Sequence, residues 1–258
     1  MLFLTWNPRP PLSKCVDFMW LYEGEAPAHA EERILPTGAV DMVISLVDGA
    51  FESPILTGVH TRYFIIGASI QCSTMGVVFK PGGAVPVLGV PASAIANAHV
   101  PLAELWGGEA RALQDRIVGA PSSRARFRIL EDALIARLPR AAPVHSSVEA
   151  AVRWFGSAAP PSVAGAAAQA GLSHRRFIEV FRQAVGAAPK AYCRVRRFQR
   201  ALARIHGPGD RDWMDVALDC GYYDQAHFIH DFRAFSGVSP TAYAALCDGK
   251  RNHVPVLD

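Results

Sequence analysis

His174, Arg175, Ile178, Glu179 and Arg182 share one face of a helical segment whose other face carries Phe177 and Phe181. Fifty-one residues on, Gln225, His227, His230 and Arg233 stand in the same relation to Phe228 and Phe232. Aromatic residues four apart bury one side of a helix and leave the hydrogen-bonding and cationic side chains outward. Within 171–204, nine basic residues accompany a single acid, Glu179. Donors at that density suit a polyanion, although a solvated helix face has the same composition.

The elements that must hold these side chains repeat. Phe177, Phe181, Gly186, Pro189 and Tyr192 recur as Phe228, Phe232, Gly237, Pro240 and Tyr243, always 51 residues apart. That marks a duplicated supersecondary unit. In the first copy Ser162 can cap a short helix of small residues, Gly171 supplies a tight turn, and Ser173 can cap the polar-faced helix. In the second, Asp212 with Asp215 suggests a capping box, and Asp224 can cap the reading helix. Helix, glycine turn and second helix with an exposed polar face is the helix-turn-helix plan, whose second helix enters a major groove. Between the copies, 189–205 forms one helix with the apolar stripe Val195, Phe198, Leu202 and Ile205, and with Arg194, Arg196, Arg197, Arg200 and Arg204 around it. At 1.5 Å per residue it is about 25 Å long. That suits holding two reading helices about 34 Å apart, one DNA turn.

The segments GLSHRRFIEVFRQAVGAAPKAYCRVRRFQRALARI and DVALDCGYYDQAHFIHDFRAFSGVSPTAYAAL carry a specific likeness. Residues 162–246 resemble the AraC/XylS family DNA-binding domain. The resemblance implies a monomeric reader of two adjacent major-groove segments of duplex DNA, usually an activator that works with RNA polymerase. It places base contacts on Arg175, Ile178 and Glu179, then on Gln225, Ala226, His227 and His230. Ile178 and Ala226 offer only apolar contact, as to a thymine methyl, whereas Arg175 suits guanine and Glu179 can accept from cytosine. Ser173, Arg176, Arg182, Arg196, Arg197, Arg200 and Arg233 are the phosphate-contact candidates, which position without specifying. Glu179 can equally pair with Arg175 or Arg182 at helical spacing, and Arg200 and Arg204 can simply solvate the long helix. Trp213 and the tyrosines at 222 and 223 are expected in the core. His227 and His230 have no third ligand nearby, so no metal is expected, and no cofactor.

The first half reads differently. Residues 1–144 hold 12 Lys+Arg against 13 Asp+Glu, and 145–258 hold 14 against 10, so net charge changes from −1 to +4 along the chain. Strand-like runs at 15–22, 40–47, 62–66 and 76–79 alternate with Gly/Pro turns. A helix capped by Ser122 or Ser123 carries Phe127, Leu130, Leu134 and Leu138 on one stripe, and the prolines at 139 and 143 end it. The expected fold class is α+β: a β-rich, barrel-like N-terminal sensory or dimerisation domain with helices (1–140), a linker (141–147), and an all-α domain with two helix-turn-helix motifs (148–258). ILPTGAVDMVISL (34–46) and GVVFKPGGAVPVLGVPASAIANAHVPLAELWG (76–107) resemble an N-terminal domain found ahead of the same DNA-binding module.

Trp6, Trp20, Tyr22, Phe64 and Phe79 can line an apolar cavity or fill a core. Asp41 is an isolated acid at the start of an apolar strand, able to orient a ligand or to bond backbone N–H groups. The binding candidates retained are Trp20, Tyr22, Asp41, Phe64 and Phe79. Gly82 and Gly83 after Pro81 allow close backbone approach to a ligand or within a loop. Helices near 109–118 and 122–138 offer a homodimer surface or pack on their own domain.

No apolar run reaches the roughly 18–20 residues of a membrane span, no signal peptide is evident, and the five cysteines are scattered, which together read as a cytoplasmic bacterial protein. Three functions follow as alternatives: a ligand-gated transcription activator; a regulator gated by dimerisation or a protein partner; and a methyl-acceptor repair regulator using Cys72. The chain lacks the cysteine-rich metal site expected of the third. No G-x-S-x-G, H-E-x-x-H or phosphate loop points to an enzyme.

Overall fold

The computed structural model describes residues 1–24, 31–47, 53–67, 72–138, 146–157, 160–207, 212–246 and 250–256. The expected linker residues 141–145 and Cys247 lie outside them. In chain order the strands are β1 (Leu2–Trp6), β2 (Val16–Glu23), β3 (Glu31–Ile34), β4 (Asp41–Ser45), β5 (Ile55–Thr57), β6 (Phe64–Gly67), β7 (Ser73–Phe79), β8 (His99–Pro101) and β9 (His253–Pro255). They form an antiparallel six-stranded sheet in the order β1-β2-β7-β4-β5-β8 and a three-stranded sheet in the order β6-β3-β9. The β-rich N-terminal domain is therefore two separate sheets that do not close into one barrel. The four strand-like runs correspond to β2, β4, β6 and β7; the short strands β3, β5 and β8 give too few residues to establish a period.

Alternation along the six strands divides the large sheet into two unlike faces. Met19, Leu21, Met42, Ile44, Leu56, Met75 and Val77 are wholly buried on one face. This face is covered by helices α3 (Gly108–Val118) and α4 (Ser123–Ile135), which contribute Leu113, Ile117, Phe127, Leu130 and Leu134. Ser122 caps α4 through the Ala125 N–H. Trp6 stacks on Phe127 at 5.4 Å, Arg9 binds the buried Glu131, and Arg137 lies over Trp106. The two helices thus pack on their own sheet. The opposite face is only partly filled. Before α3 come two single turns, α1 (Val85–Leu88) and α2 (Ala103–Trp106). Gly83 belongs to packing: a Cβ there would lie 2.0 Å from the Cys15 carbonyl oxygen.

The rest is helical: α5 (Ser146–Gly156), α6 (Val163–Gln169), α7 (His174–Val185), α8 (Pro189–His206), α9 (Trp213–Asp219), α10 (Gln225–Ser236) and α11 (Pro240–Leu246). No helix among the described residues is long and apolar enough to cross a membrane. One buried cluster runs without a break from the N-terminal sheet into α5, α6 and α7 and ends at Tyr192. A second surrounds Val195, Phe198, Leu202 and Ile205 and takes in Leu35 and Val254. The two halves are thus packed together, and β9, from the far end of the chain, completes the small sheet.

Glu32 of β3 is 1% exposed and meets His253 Nδ1 of β9 at 2.7 Å. His253→Ala takes the imidazole from a buried carboxylate. The expected loss is about 1–3 kcal/mol in urea denaturation, with His253→Gln retaining part of it.

Candidate nucleic-acid interface

The two copies fold alike because each turn has the same local chemistry. Ser162 and Ser173 cap α6 and α7 through the N–H groups of Gly165 and Arg176, and Asp224 caps α10 through that of His227. Asp212 accepts from the N–H of Met214, two residues on, rather than forming a box with Asp215. Gly171 and Gly221 have φ of +65° and +81° in the two turns. Phe177, Phe181, Phe228 and Phe232 are at most 1% exposed, and each pair packs edge-to-face or tilted against neighbours from its own unit.

The outer faces differ. On α7, Arg175, Arg176, Glu179 and Arg182 are exposed and Ile178 is half-buried. Glu179 pairs with Arg176 at 3.0 Å, not with Arg175 or Arg182. At an exposed position that pair is worth little, and either partner can be released to a base or phosphate. Arg175 and Arg182 have no ion-pair partner among the described residues. On α10, Ala226, His230 and Arg233 are exposed and Gln225 is half-buried. His227 is half-exposed and engaged by its own unit: Nδ1 accepts from the Tyr223 N–H at 3.4 Å, the ring meets Tyr222 edge-on, and Nε2 lies 3.9 Å from Asp231. Tyr222 is buried as expected, whereas Tyr223 is 87% exposed at the foot of α10 and joins the outward set. The G-Y-Y pattern assigns both rings to the core; only the turn shows that one faces out.

The arginines of α8 divide by what they touch. Arg194 donates to both oxygens of Asp231, at 2.6 and 3.4 Å, and this hydrogen bonding pushes its pKa further up. Asp231 is 2% exposed on α10, so the pair ties the reading helix to the rod. Arg197 donates to the Gly221 carbonyl at 2.9 Å and lies over the Tyr222 ring. Arg200 donates to the Ser157 carbonyl at 3.3 Å, and Arg204 pairs with Asp219 at 3.6 Å. Arg197 and Arg200, expected from sequence as phosphate contacts, thus each give one donor to a neighbouring carbonyl and keep others free of it. Arg196 has no ion-pair partner among the described residues. The signal for Arg194 was an acid, Asp231, on the phenylalanine side of α10, where an unpaired carboxylate is too costly to leave.

Both reading helices end on glycines with positive φ, Gly186 at +93° and Gly237 at +76°. Each cap abuts the N-terminal domain. A Cβ at Gly186 would meet Val59 at 3.2 Å, and one at Gly237 would meet the Tyr63 ring at 2.8 Å. Four residues of extended chain span about 14 Å, so one short loop bridges the backs of both helices. Asn97 holds that loop by accepting from the N–H and hydroxyl of Thr61 at 2.9 and 3.1 Å.

The other set of candidates lies on the partly filled face of the large sheet. Trp20, Tyr22 and Asp41 are on that face. Phe64 on the small sheet reaches it by stacking edge-on against His99 at 4.4 Å. Phe79 is on the opposite face, 1% exposed within the filled core, because Val78 takes the open side. Asp41 has no hydrogen bond or ion pair among the described residues, and burial pushes its carboxyl up to about 7. His60, 7% exposed, stacks on His99 at 4.9 Å; burial and that neighbour push it down to about 4, and its Nε2 has no hydrogen-bond partner among the described residues. Between pH 4 and 7 the folded state holds a proton on Asp41 that the unfolded chain releases, so this group makes stability fall as pH rises through that window. Asp41→Asn should raise stability at pH 8 by about 1–2 kcal/mol, less than the full shift because the side chain is not wholly shielded. The gain should vanish near pH 4, as read from thermal melts at the two pH values.

Among the described residues, no three His, Cys, Asp or Glu side chains gather so as to hold a metal. Residues 166–245 match a family described as a helix-turn-helix domain, and residues 4–101 match one described as a domain of unknown function (DUF6597). No curated protein matches the chain. Several solved structures are similar to it, three of them as follows. A transcriptional regulator with an AraC-type DNA-binding domain from Chromobacterium violaceum is 23% identical over 40% of this chain and 94% of that one, with a TM-score of 0.37. The DNA-binding domain of AdpA, a global transcriptional factor solved with a target DNA, is 29% identical over 39% and 92%, with a TM-score of 0.36. ToxT from Vibrio cholerae is 10% identical over 96% and 98%, with a TM-score of 0.44. The chain therefore carries a helix-turn-helix domain at residues 166–245, behind a domain of a second family at residues 4–101.

Proposed function

We propose that the protein is a sequence-specific, ligand-responsive transcription activator that reads two adjacent major-groove segments with α7 and α10 and works with RNA polymerase. The observation that carries the reading is the pair of outward polar faces on two equivalent helices, each capped at its N-terminus and tied to α8. Arg175 and Glu179 read one half-site; Gln225 and His230, with Ala226 against a thymine methyl, read the other. His227 orients α10 from within. Arg176, Arg182, Arg196, Arg233 and the Ser173 hydroxyl hold phosphates, which fixes register and adds a salt-dependent, sequence-independent attraction.

Residues 1–140 serve as the sensor in this reading. The half-buried aromatic and acidic side chains on the partly filled sheet face are what favour a small molecule over a purely protein-mediated gate, since a domain used only for dimerisation has no need of them. Differential affinity for two arrangements of the halves would then couple ligand to DNA.

Selection of bound sites from random duplex DNA should return two half-sites about one helical turn apart. On the selected site Arg175→Ala should cost about 1–3 kcal/mol and relax choice at one base pair. Arg196→Ala should weaken all sequences alike and flatten the salt slope by about one unit. A wild-type affinity indifferent to salt would contradict the phosphate contacts, and selection that returns no preferred sequence would contradict the reader.

A further inference from the structure

On the open face of the large sheet, register aligns five side chains in one row across five strands: Phe18, Val78, Asp41, Thr57 and His99. The neighbouring row brings Trp20 over Gly76, where the indole lies so close that a Cβ would be 2.5 Å from its ring carbons. Glycine there lets the ring lie flat on the sheet. Phe18, Trp20, Val43 and Val78 are all half-buried, while Met19, Leu21, Met42, Ile44 and Val77, which alternate with them, are sealed in the core. The small sheet stands over this face. Phe64 touches His99 at one end, and Lys250, just before β9, lies 5.8 Å from the Tyr22 ring at the other. The result is an apolar, aromatic cleft with one carboxylate on its floor.

We propose that this cleft binds an apolar amine, its ammonium paired with Asp41 and its hydrocarbon body laid against Trp20 and Phe18. The inference rests on reading the N-terminal domain as a sensor and names the chemistry it senses. Asp41 has no partner among the described residues, and a carboxylate in apolar surroundings gains most from a cation that arrives with the ligand. Aromatic faces add to the pull on an ammonium. An acid would be repelled by the same group. Burial lowers the pKa of both His60 and His99, so neither readily brings a positive charge to an anion, and the cation at the rim, Lys250, is already engaged.

The site is also placed to be felt by the reader. Thr57 Oγ1, beside Asp41, lies 3.3 Å from His99 Nδ1, and His99 stacks on His60. His60 belongs to the loop whose Val59 and Tyr63 meet Gly186 and Gly237.

The test is isothermal titration of the full chain at pH 8 with phenethylamine, tryptamine and octylamine, alongside 2-phenylethanol and 3-phenylpropanoate. At least one amine should bind one-to-one and tenfold or more tighter than the alcohol and the acid. Asp41→Asn, checked for a native melting transition, should erase that preference. Equal binding of the alcohol or the acid, or undiminished amine binding by Asp41→Asn, overturns the amine chemistry while leaving a sensor in place. Absence of binding by all three amines overturns it too. A gel shift on the same samples separates the underlying reading: amine binding that depends on Asp41 without a change in DNA affinity keeps the site and removes the sensor.

Discussion

The stripe Tyr192, Val195, Phe198, Leu202 and Ile205 along α8 is the contact on which the other parts depend. Tyr192 closes the core that holds α7, and the next four residues found the core that holds α10. Each fully buried apolar side chain of this size contributes about 1.5–3 kcal/mol. No loop between the units could fix their relative placement so firmly. The N-terminal half leans on the same helix: Gly38 packs on Val195 and Tyr192, and Gln199 donates to the Pro36 carbonyl and to Asn252.

Around that rod the arginines do two kinds of work. Arg194, Arg197, Arg200 and Arg204 reach inward or sideways and hold α10, the second turn, α5 and α9. Arg175, Arg182, Arg196 and Arg233 project without ion-pair partners among the described residues. Positive charge that looks uniform in sequence is thus split into a set bonded to neighbouring elements and a set without ion pairs among the described residues. The split follows from where a carbonyl or a carboxylate comes within reach. Asp231 is the sharpest case, because its carboxylate, buried between Phe228, Phe232 and Phe235, requires a bidentate cation and α8 supplies one.

The N-terminal half grips the reader from behind. β9 pairs with β3, the Glu32–His253 pair sits between them, and the loop at Val59–Tyr63 rests on the caps of both reading helices. The N-terminal turns of α7 and α10 are left exposed or half-exposed. This arrangement makes the N-terminal domain mechanically continuous with the element that sets the angle between the reading helices. It also explains why two glycines at equivalent places in the repeat face the same foreign loop.

How much of this was readable in advance follows from the range of the forces involved. The duplicated helix-turn-helix units, their serine and aspartate caps, the glycine turns, the length of α8 and the phenylalanine cores are local matters. They are set by period, capping and backbone freedom within a dozen residues, and the sequence by itself determined them. So too did it place Trp20, Tyr22 and Asp41 on strands of one domain. Which face each strand residue takes, and hence that Phe79 is core while Asp41 lies on the partly filled face, was decided by sheet register, through partners as distant in sequence as Val16 for Phe79 and Val78 for Asp41. The contacts of His227 with Tyr222 and Tyr223, the carbonyl bonds of Arg197 and Arg200, the exposed Tyr223 and the return of β9 to the first domain were likewise tertiary decisions. Each depends on a partner brought near by the fold from elsewhere in the chain or on the exact angle of a turn, and neither leaves a periodic trace in the residues themselves.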